Sequence, residues 1–156
     1  MEISNKTFNT IREKAEIDYK NIESVFCPYL KLEVAFNSKG LEHIKFKDRN
    51  KSRIREDQYI RLKCLILSPR IIEESHTLQG YQQRNEFVEI KEKKWTHKLK
   101  TVNYFEFIAV IRRETRVRVI VREIEGGKPH FWSIIPFWKV DNSGIKHIHN
   151  GKPHVD

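Results

Sequence analysis

The apolar positions of the chain change period along its length. From Asn5 to Val25, the residues Phe8, Ile11, Ala15, Ile22 and Val25 fall roughly on one face with charges between them. That is the spacing of an amphipathic helix, and Pro28 ends it. Leu30 to Phe36 alternates as a short strand, and Asn37-Ser38-Lys39-Gly40 reads as a turn in which Ser38 caps the segment that follows. Leu41 to Phe46 is short, apolar and basic, and Asp48 to Arg55 is a charged loop. Glu56 to Leu67 is again helical, with Tyr59, Ile60, Cys64 and Leu67 inward and Arg61 and Lys63 outward; Pro69 suits the first turn of a second helix running to about His76. Thr77 to Lys100 is polar, with a strand predicted only at Glu86 to Ile90. Three strand patterns rich in Val, Ile, Phe and Trp then follow at Tyr104–Ile111, Arg116–Ile124 and His130–Trp138, the last two joined by a hairpin turn at Glu125-Gly126-Gly127-Lys128.

Helices first and strands afterwards predict an α+β domain, with N-terminal helices packed on one face of a C-terminal antiparallel sheet of about four strands. Residues 1–140 form the single domain expected for a chain of this length. Residues 141–156, polar with scattered Gly and His, are expected to be a loosely attached, flexible tail.

Charge changes the picture more than composition does. Thirty Lys and Arg against 21 Asp and Glu give +9, with a mean hydropathy of -0.64 and a pI near 9.6. Such a field draws in polyanions. Without a basic amphipathic helix to lie on a membrane, and with no apolar run long enough to span one, nucleic acid is the favoured partner. The polar N-terminus has no signal-peptide pattern, so the cytoplasm is the expected location. Cys27 and Cys64 have neither redox nor zinc-knuckle spacing and are expected as buried thiols.

Strand alternation puts Val117, Val119 and Val121 on one face and Arg116, Arg118 and Arg122 on the other. With the valines toward the helices, the arginines line an open face, where Glu106, Arg118, His130 and Trp132 can come together. Cleaving RNA without a metal needs a base for the 2′-OH proton, an acid for the 5′ oxygen and a cation against the charge growing on phosphorus oxygens. Glu and His exchange protons, Arg gives a permanent bidentate charge and Trp stacks a base. The bland alternative is an ordinary cross-strand Glu–Arg pair beside an amphipathic Trp. His43 with Lys45 and Lys47 makes a second basic cluster, against which stands a solvated, charged helix start. Arg49, Lys51, Arg53 and Arg55 read as a loop that touches phosphates, and Arg61 and Arg116 as further RNA contacts. Both His43 and Arg118 are expected at the surface. No Gly-rich phosphate loop, Gly-x-Ser-x-Gly or His-Glu-x-x-His occurs. His147, His149 and His154 lack an accompanying carboxylate pair, so neither a metal nor another cofactor is expected.

Several stretches resemble a family of small standalone bacterial proteins. They are Cys27-Pro28-Tyr29-Leu30, Val34-Ala35-Phe36-Asn37 and Gly40-Leu41-Glu42-His43-Ile44-Lys45-Phe46-Lys47, then Tyr104 to Ala109, Val117 to Val121 and His130 to Pro136. That group is similar to the RelE-like and phage-associated nucleases of the barnase–EndoU–colicin–RelE superfold, and the likeness covers most of residues 10–139. The resemblance implies metal-independent RNA cleavage, often by toxins that a partner antitoxin neutralises. On it, the basic and His position falls on His43 with Lys45 or Lys47, the strand position on Arg118 and the hydroxyl position on Ser133. Alternation sets Ser133 opposite His130 unless a bulge intervenes.

Together these readings give a metal-independent endoribonuclease of the toxin type, with RNA and an acidic antitoxin protein as partners. The catalytic set is drawn from His43, Lys47, Glu106, Arg118, His130 and Ser133. A non-catalytic RNA- or DNA-binding module, or a basic interaction protein, accounts for the charge equally well.

Overall fold

The computed structural model describes residues 2–48, 51–112, 115–137, 140–141, 144–145 and 152–156, and of 48, 112, 137, 140–141 and 144–145 the backbone alone. Helix α1 spans Asn5–Lys20, and the Ser4 hydroxyl caps it by accepting the Thr7 N–H at 3.2 Å. It stops short of the apolar period because Glu23 turns to positive φ and the chain enters strand β1, Ser24–Cys27. Strand β2, Leu32–Ala35, pairs back on β1. Helix α2, Ser38–Lys45, is capped by the Asn37 side chain, one residue before the expected Ser38. A small ribbon, β3 (Phe46–Asp48) with β4 (Lys51–Ser52), leads to α3, Arg55–Cys64, a 3-10 turn at Leu65–Leu67 and α4, Ser68–Glu73. Four strands follow, β5 (Gly80–Lys91), β6 (Trp95–Arg112), β7 (Thr115–Ile124) and β8 (His130–Phe137), then a short ribbon of β9 (Val140–Asp141) and β10 (Gly144–Ile145).

The fold is α+β, but the four-stranded antiparallel sheet behind leading helices is not what forms. The main sheet has six strands in the order β1-β2-β8-β7-β6-β5. It is mixed, because β2 runs parallel to β8, with Ala35 opposite His130. Two of its strands therefore come from the N-terminal part of the chain. The polar stretch 77–100 holds all of β5 and the start of β6, where the sequence predicts one short strand. Those strands are stitched by side-chain hydrogen bonds in place of apolar alternation: Tyr81 Oη donates to Asn103 at 2.7 Å, Gln83 to Asn103 at 3.1 Å and Tyr104 Oη to Glu86 at 2.8 Å.

Helix residues Phe8, Tyr19, Ile44, Leu62, Leu65 and Ile72 share one core with Phe107, Val117, Val119, Val121, Phe131 and Ile134 of the sheet. The valines face that core as alternation predicts. The arginine side of β7 is nevertheless not open, since Val88, Val102, Tyr104, Ile120 and Ile135 make a second core there with Trp132 packed on it.

One close approach fixes where α2 lies. A Cβ added to Gly40 would sit 2.7 Å from the Tyr19 hydroxyl and 2.8 Å from the Phe131 ring, so only glycine lets the helix lie this near β8. Tyr19 itself is held by donating to the Asn37 carbonyl at 2.6 Å. In an ordinary helix interior Gly→Ala gains about 1 kcal/mol. Here the sign should reverse. Gly40→Ala should lose roughly 1–3 kcal/mol by overpacking, read from urea midpoints, and a gain in stability would contradict this packing.

Candidate functional site

The register of β7 on β8 shifts by one residue. Ile120 lies opposite Ser133, whereas Val121 lies opposite Phe131, which leaves Trp132 as the extra residue of a bulge. Cross-strand partners point to the same side of a sheet. His130 (opposite Arg122) and Ser133 (opposite Ile120) therefore share one face with Arg118 and Glu106. The bulge resolves the conflict that strict alternation creates.

On that face three guanidinium groups converge in a buried pocket. Arg118 binds Glu106 bidentately, through Nε to Oε1 and Nη2 to Oε2, the latter at 2.7 Å. Arg61, at 1% exposure, donates to Asp57 Oδ1 at 2.7 Å and to Ser133 Oγ at 2.7 Å. Arg53 donates through Nε to the His43 carbonyl at 2.9 Å and reaches Asp57 Oδ2 at 3.4 Å. Arg53, Asp57 and Arg61 are spaced four apart, so α3 and the residue pair before it bring all three to one side.

At the centre of these donors sits one oxygen. The main-chain oxygen of Asp156 accepts from Arg53 Nη2 at 2.9 Å, Arg61 Nη1 at 2.8 Å and Ser133 Oγ at 2.8 Å. His43 Nε2 lies 2.9 Å from the same oxygen, and the Asp156 carboxylate is 3.5 Å from Arg118 Nη1. Asp156 and Pro153 are buried, so the segment 152–156 is docked at the pocket.

His43 is 5% exposed and stacked on Trp132, with ring centroids 4.0 Å apart and planes 18° apart. Burial first, and Arg53 beside it, hold its pKa well below the ordinary 6.5. The ring is neutral at pH 7 and can accept a proton. Burial, with Arg61 near, brings Arg53 down to about 10, which leaves it charged. Arg122 lies over the other part of the Trp132 surface, 4.5 Å from the ring centroid.

Next to His43 opens a groove of about 650 Å³. Lys39, Lys47 and Arg122 give it positive charge beside Glu42; Phe46, Phe87 and Trp132 give it ring faces; and His154 and Val155 form part of its wall. This pairing of cations with aromatic faces suits single-stranded nucleic acid.

The expected site residues divide. His43, Glu106, Arg118, Ser133, Arg53, Arg61 and Trp132 meet at the pocket, and Lys47 lines the groove. His43 and Arg118 are buried, not at the surface, and Arg61 points inward. Arg53 is likewise buried, not part of a solvated loop. Lys45 pairs with Glu16 of α1, and Arg55 binds Asn5 at 2.6 Å and lies over Phe8, so both serve the helix packing. Lys51 and Arg116 are exposed away from these contacts. Arg49, His147 and His149 lie outside the described residues. Among the described residues no group of three His, Cys, Asp or Glu is placed to hold a metal ion, Cys27 and Cys64 are free, and no helix is long and apolar enough to cross a membrane. The sequence reading missed Lys39, Asp57, Phe46, Phe87, Arg122 and Asp156. Only the four-residue spacing of Arg53, Asp57 and Arg61 could have signalled part of this.

His130 supplies a pH test. It is 4% exposed, its Nε2 has no hydrogen-bond partner among the described residues, and burial, with Arg122 near, holds its pKa down to about 3. In an unfolded chain histidine titrates near 6.5. Above that pH neither state holds the proton. Below it the unfolded state takes one up and the native state does not, so stability falls as pH drops toward 3, by about 1.4 kcal/mol per unit for each such ring. His130→Gln should therefore lose less stability than the parent between pH 7 and pH 4.5 in denaturant titrations, and parallel losses would contradict the buried neutral ring. Comparison of the chain with protein-family models, with curated proteins and with solved structures found no match.

Proposed function

We propose that the protein is a metal-independent endoribonuclease whose scissile phosphate occupies the Arg53–Arg61–Ser133 pocket. The observation that carries this is the Asp156 oxygen, which meets three donors and the His43 ring at 2.8–2.9 Å. A phosphoryl oxygen held by Arg53, Arg61 and Ser133, with the 2′-hydroxyl beside His43 Nε2, would meet the donors that stabilise charge as it grows in the transition state. Buried donors are already oriented and need no reorganisation.

In this reading neutral His43 takes the proton of the 2′-hydroxyl through Nε2, and the 2′ oxygen attacks phosphorus. Arg53, Arg61 and the Ser133 hydroxyl bind the phosphoryl oxygens, and Arg118, positioned by Glu106, adds its charge. The bond to the 5′ oxygen breaks, that oxygen leaves with a proton drawn from solvent through the groove, and a 2′,3′-cyclic phosphate remains. Three guanidinium groups supply positive charge of the kind that other nucleases take from a cation. Lys39, Lys47 and Arg122 hold neighbouring phosphates, while Trp132 and Phe46 offer ring faces to bases. The small size and net charge of +9 also fit a toxin held in check by an acidic partner.

Purified protein incubated with total RNA and excess EDTA should produce fragments ending in 2′,3′-cyclic phosphate or 3′-phosphate. His43→Gln, which keeps a polar side chain in the stack, should cut about 10²–10⁴-fold more slowly with RNA binding little changed. Activity lost in EDTA and restored by magnesium or manganese would contradict the mechanism. Binding with the steep salt dependence of phosphate contacts, but no cutting at any pH, would leave a nucleic-acid-binding module instead.

A further inference from the structure

Residues 152–156 do more than fill space, because they occupy the pocket and wall the groove beside it. The Asp156 oxygen stands where a phosphoryl oxygen would stand, and the Val155 carbonyl accepts from Arg53 Nη2 at 3.0 Å. His154 and Val155 form part of the groove wall with Phe46, Phe87 and Trp132. The segment holds this shape by a tight turn, in which the Val155 and Asp156 N–H groups both donate to the Lys152 carbonyl, at 3.0 and 2.9 Å. Pro153 is buried under it.

The electrostatics point the same way. Among the described residues Arg53, Arg61 and Arg118 face two carboxylates of the pocket wall, Asp57 and Glu106. The Asp156 carboxylate adds negative charge beside Arg118. Whatever displaces this segment must bring negative charge and acceptor oxygens of its own, since buried guanidinium groups without them are costly.

His43 makes the occupancy consequential. A neutral imidazole carries one N–H and one bare nitrogen. To bond the Asp156 oxygen at 2.9 Å, Nε2 must be the N–H and donate. It then cannot accept from Arg53 Nη2, 3.1 Å away, or from a substrate hydroxyl. Only with a donor such as that hydroxyl in place of the oxygen can Nε2 be the acceptor.

We infer that residues 152–156 are an intramolecular pseudosubstrate, displaced by a single-stranded nucleic acid whose phosphate takes the place of the Asp156 oxygen and whose adjoining base enters the groove over Trp132. The strand must be single because a base stacks on the Trp132 ring only when it is unpaired. This rests on the phosphate reading of the pocket given above, but its test reads binding and needs no cleavage.

The test uses the ¹⁵N-labelled full chain and a short single-stranded 2′-deoxy oligonucleotide, which lacks the attacking hydroxyl. Titration should shift the amides of Trp132 and Ser133 while those of Val155 and Asp156 move to unstructured positions along the same binding curve. Two variants loosen the segment in different ways: Asp156→Ala removes the carboxylate at Arg118, and Pro153→Gly removes the buried ring with no change of charge. Each should tighten the oligonucleotide by roughly three- to tenfold, since a competitor's occupancy divides the apparent affinity. The otherwise unchanged spectrum of each variant would show that it folds. Binding with Val155 and Asp156 unmoved would overturn the inference. So would equal affinity in both variants, equal displacement by the same sequence in a duplex, or no binding by parent and variants alike. A protein that passes this test yet never cuts RNA would refute the endoribonuclease and keep the pseudosubstrate.

Discussion

Arg61 is a guanidinium group almost wholly out of water, and much of the site is arranged around that fact. Such a group is tolerated only where every N–H meets an acceptor and a counter-charge lies close. Asp57 is supplied one helical turn earlier on α3, Ser133 comes from β8, and Asp156 arrives from the far end of the sequence. Removing one partner from such a buried group costs about 3–5 kcal/mol. That cost links α3, β8 and residues 152–156 through one buried group.

The same constraint gives the β8 bulge its meaning. Without the extra residue at Trp132, either His130 or Ser133 would face the helix core, and Arg61 would lose an acceptor. With it, Ser133 turns to the pocket and Trp132 is carried out to stack on His43. Gly40 completes the arrangement, because α2 can bring His43 against Trp132 only where no Cβ stands between the helix and Phe131. A missing side chain on one element and an added residue on another thus set the geometry of a third.

Much of this was legible in the residues, and the limits have physical causes. Strands β7 and β8 were readable from their β-branched runs, as was the turn in which Gly126 takes φ 81°, because local chemistry decides them. Of the six residues expected as a catalytic set, His43, Glu106, Arg118 and Ser133 meet in space, while Lys47 lines the groove and His130 is buried on the same face. Of β5 only Glu86–Ile90 was readable and of β6 only Tyr104–Ile111; the rest escaped because its residues satisfy one another across the ladder with amides, hydroxyls and carboxylates, leaving no apolar period to see. Arg61 was placed outward because helix periodicity treats arginine as solvated, and only tertiary contacts with Ser133 and Asp156 reverse that. The parallel pairing of β2 with β8 is a long-range event with no local signature. The docking of Asp156 is equally silent, since its main-chain oxygen would look the same on any residue.

The central claim is that the pocket of Arg53, Arg61, Ser133 and His43 is built for a phosphate. The most direct measurement is anomalous diffraction from crystals of the full chain soaked in tungstate, a tetrahedral oxyanion with a strong signal. The account predicts one dominant peak within hydrogen-bonding reach of Arg53, Arg61 and the Ser133 hydroxyl, with the Asp156 oxygen driven out. A dominant peak elsewhere, with Asp156 still holding its three donors, would contradict it.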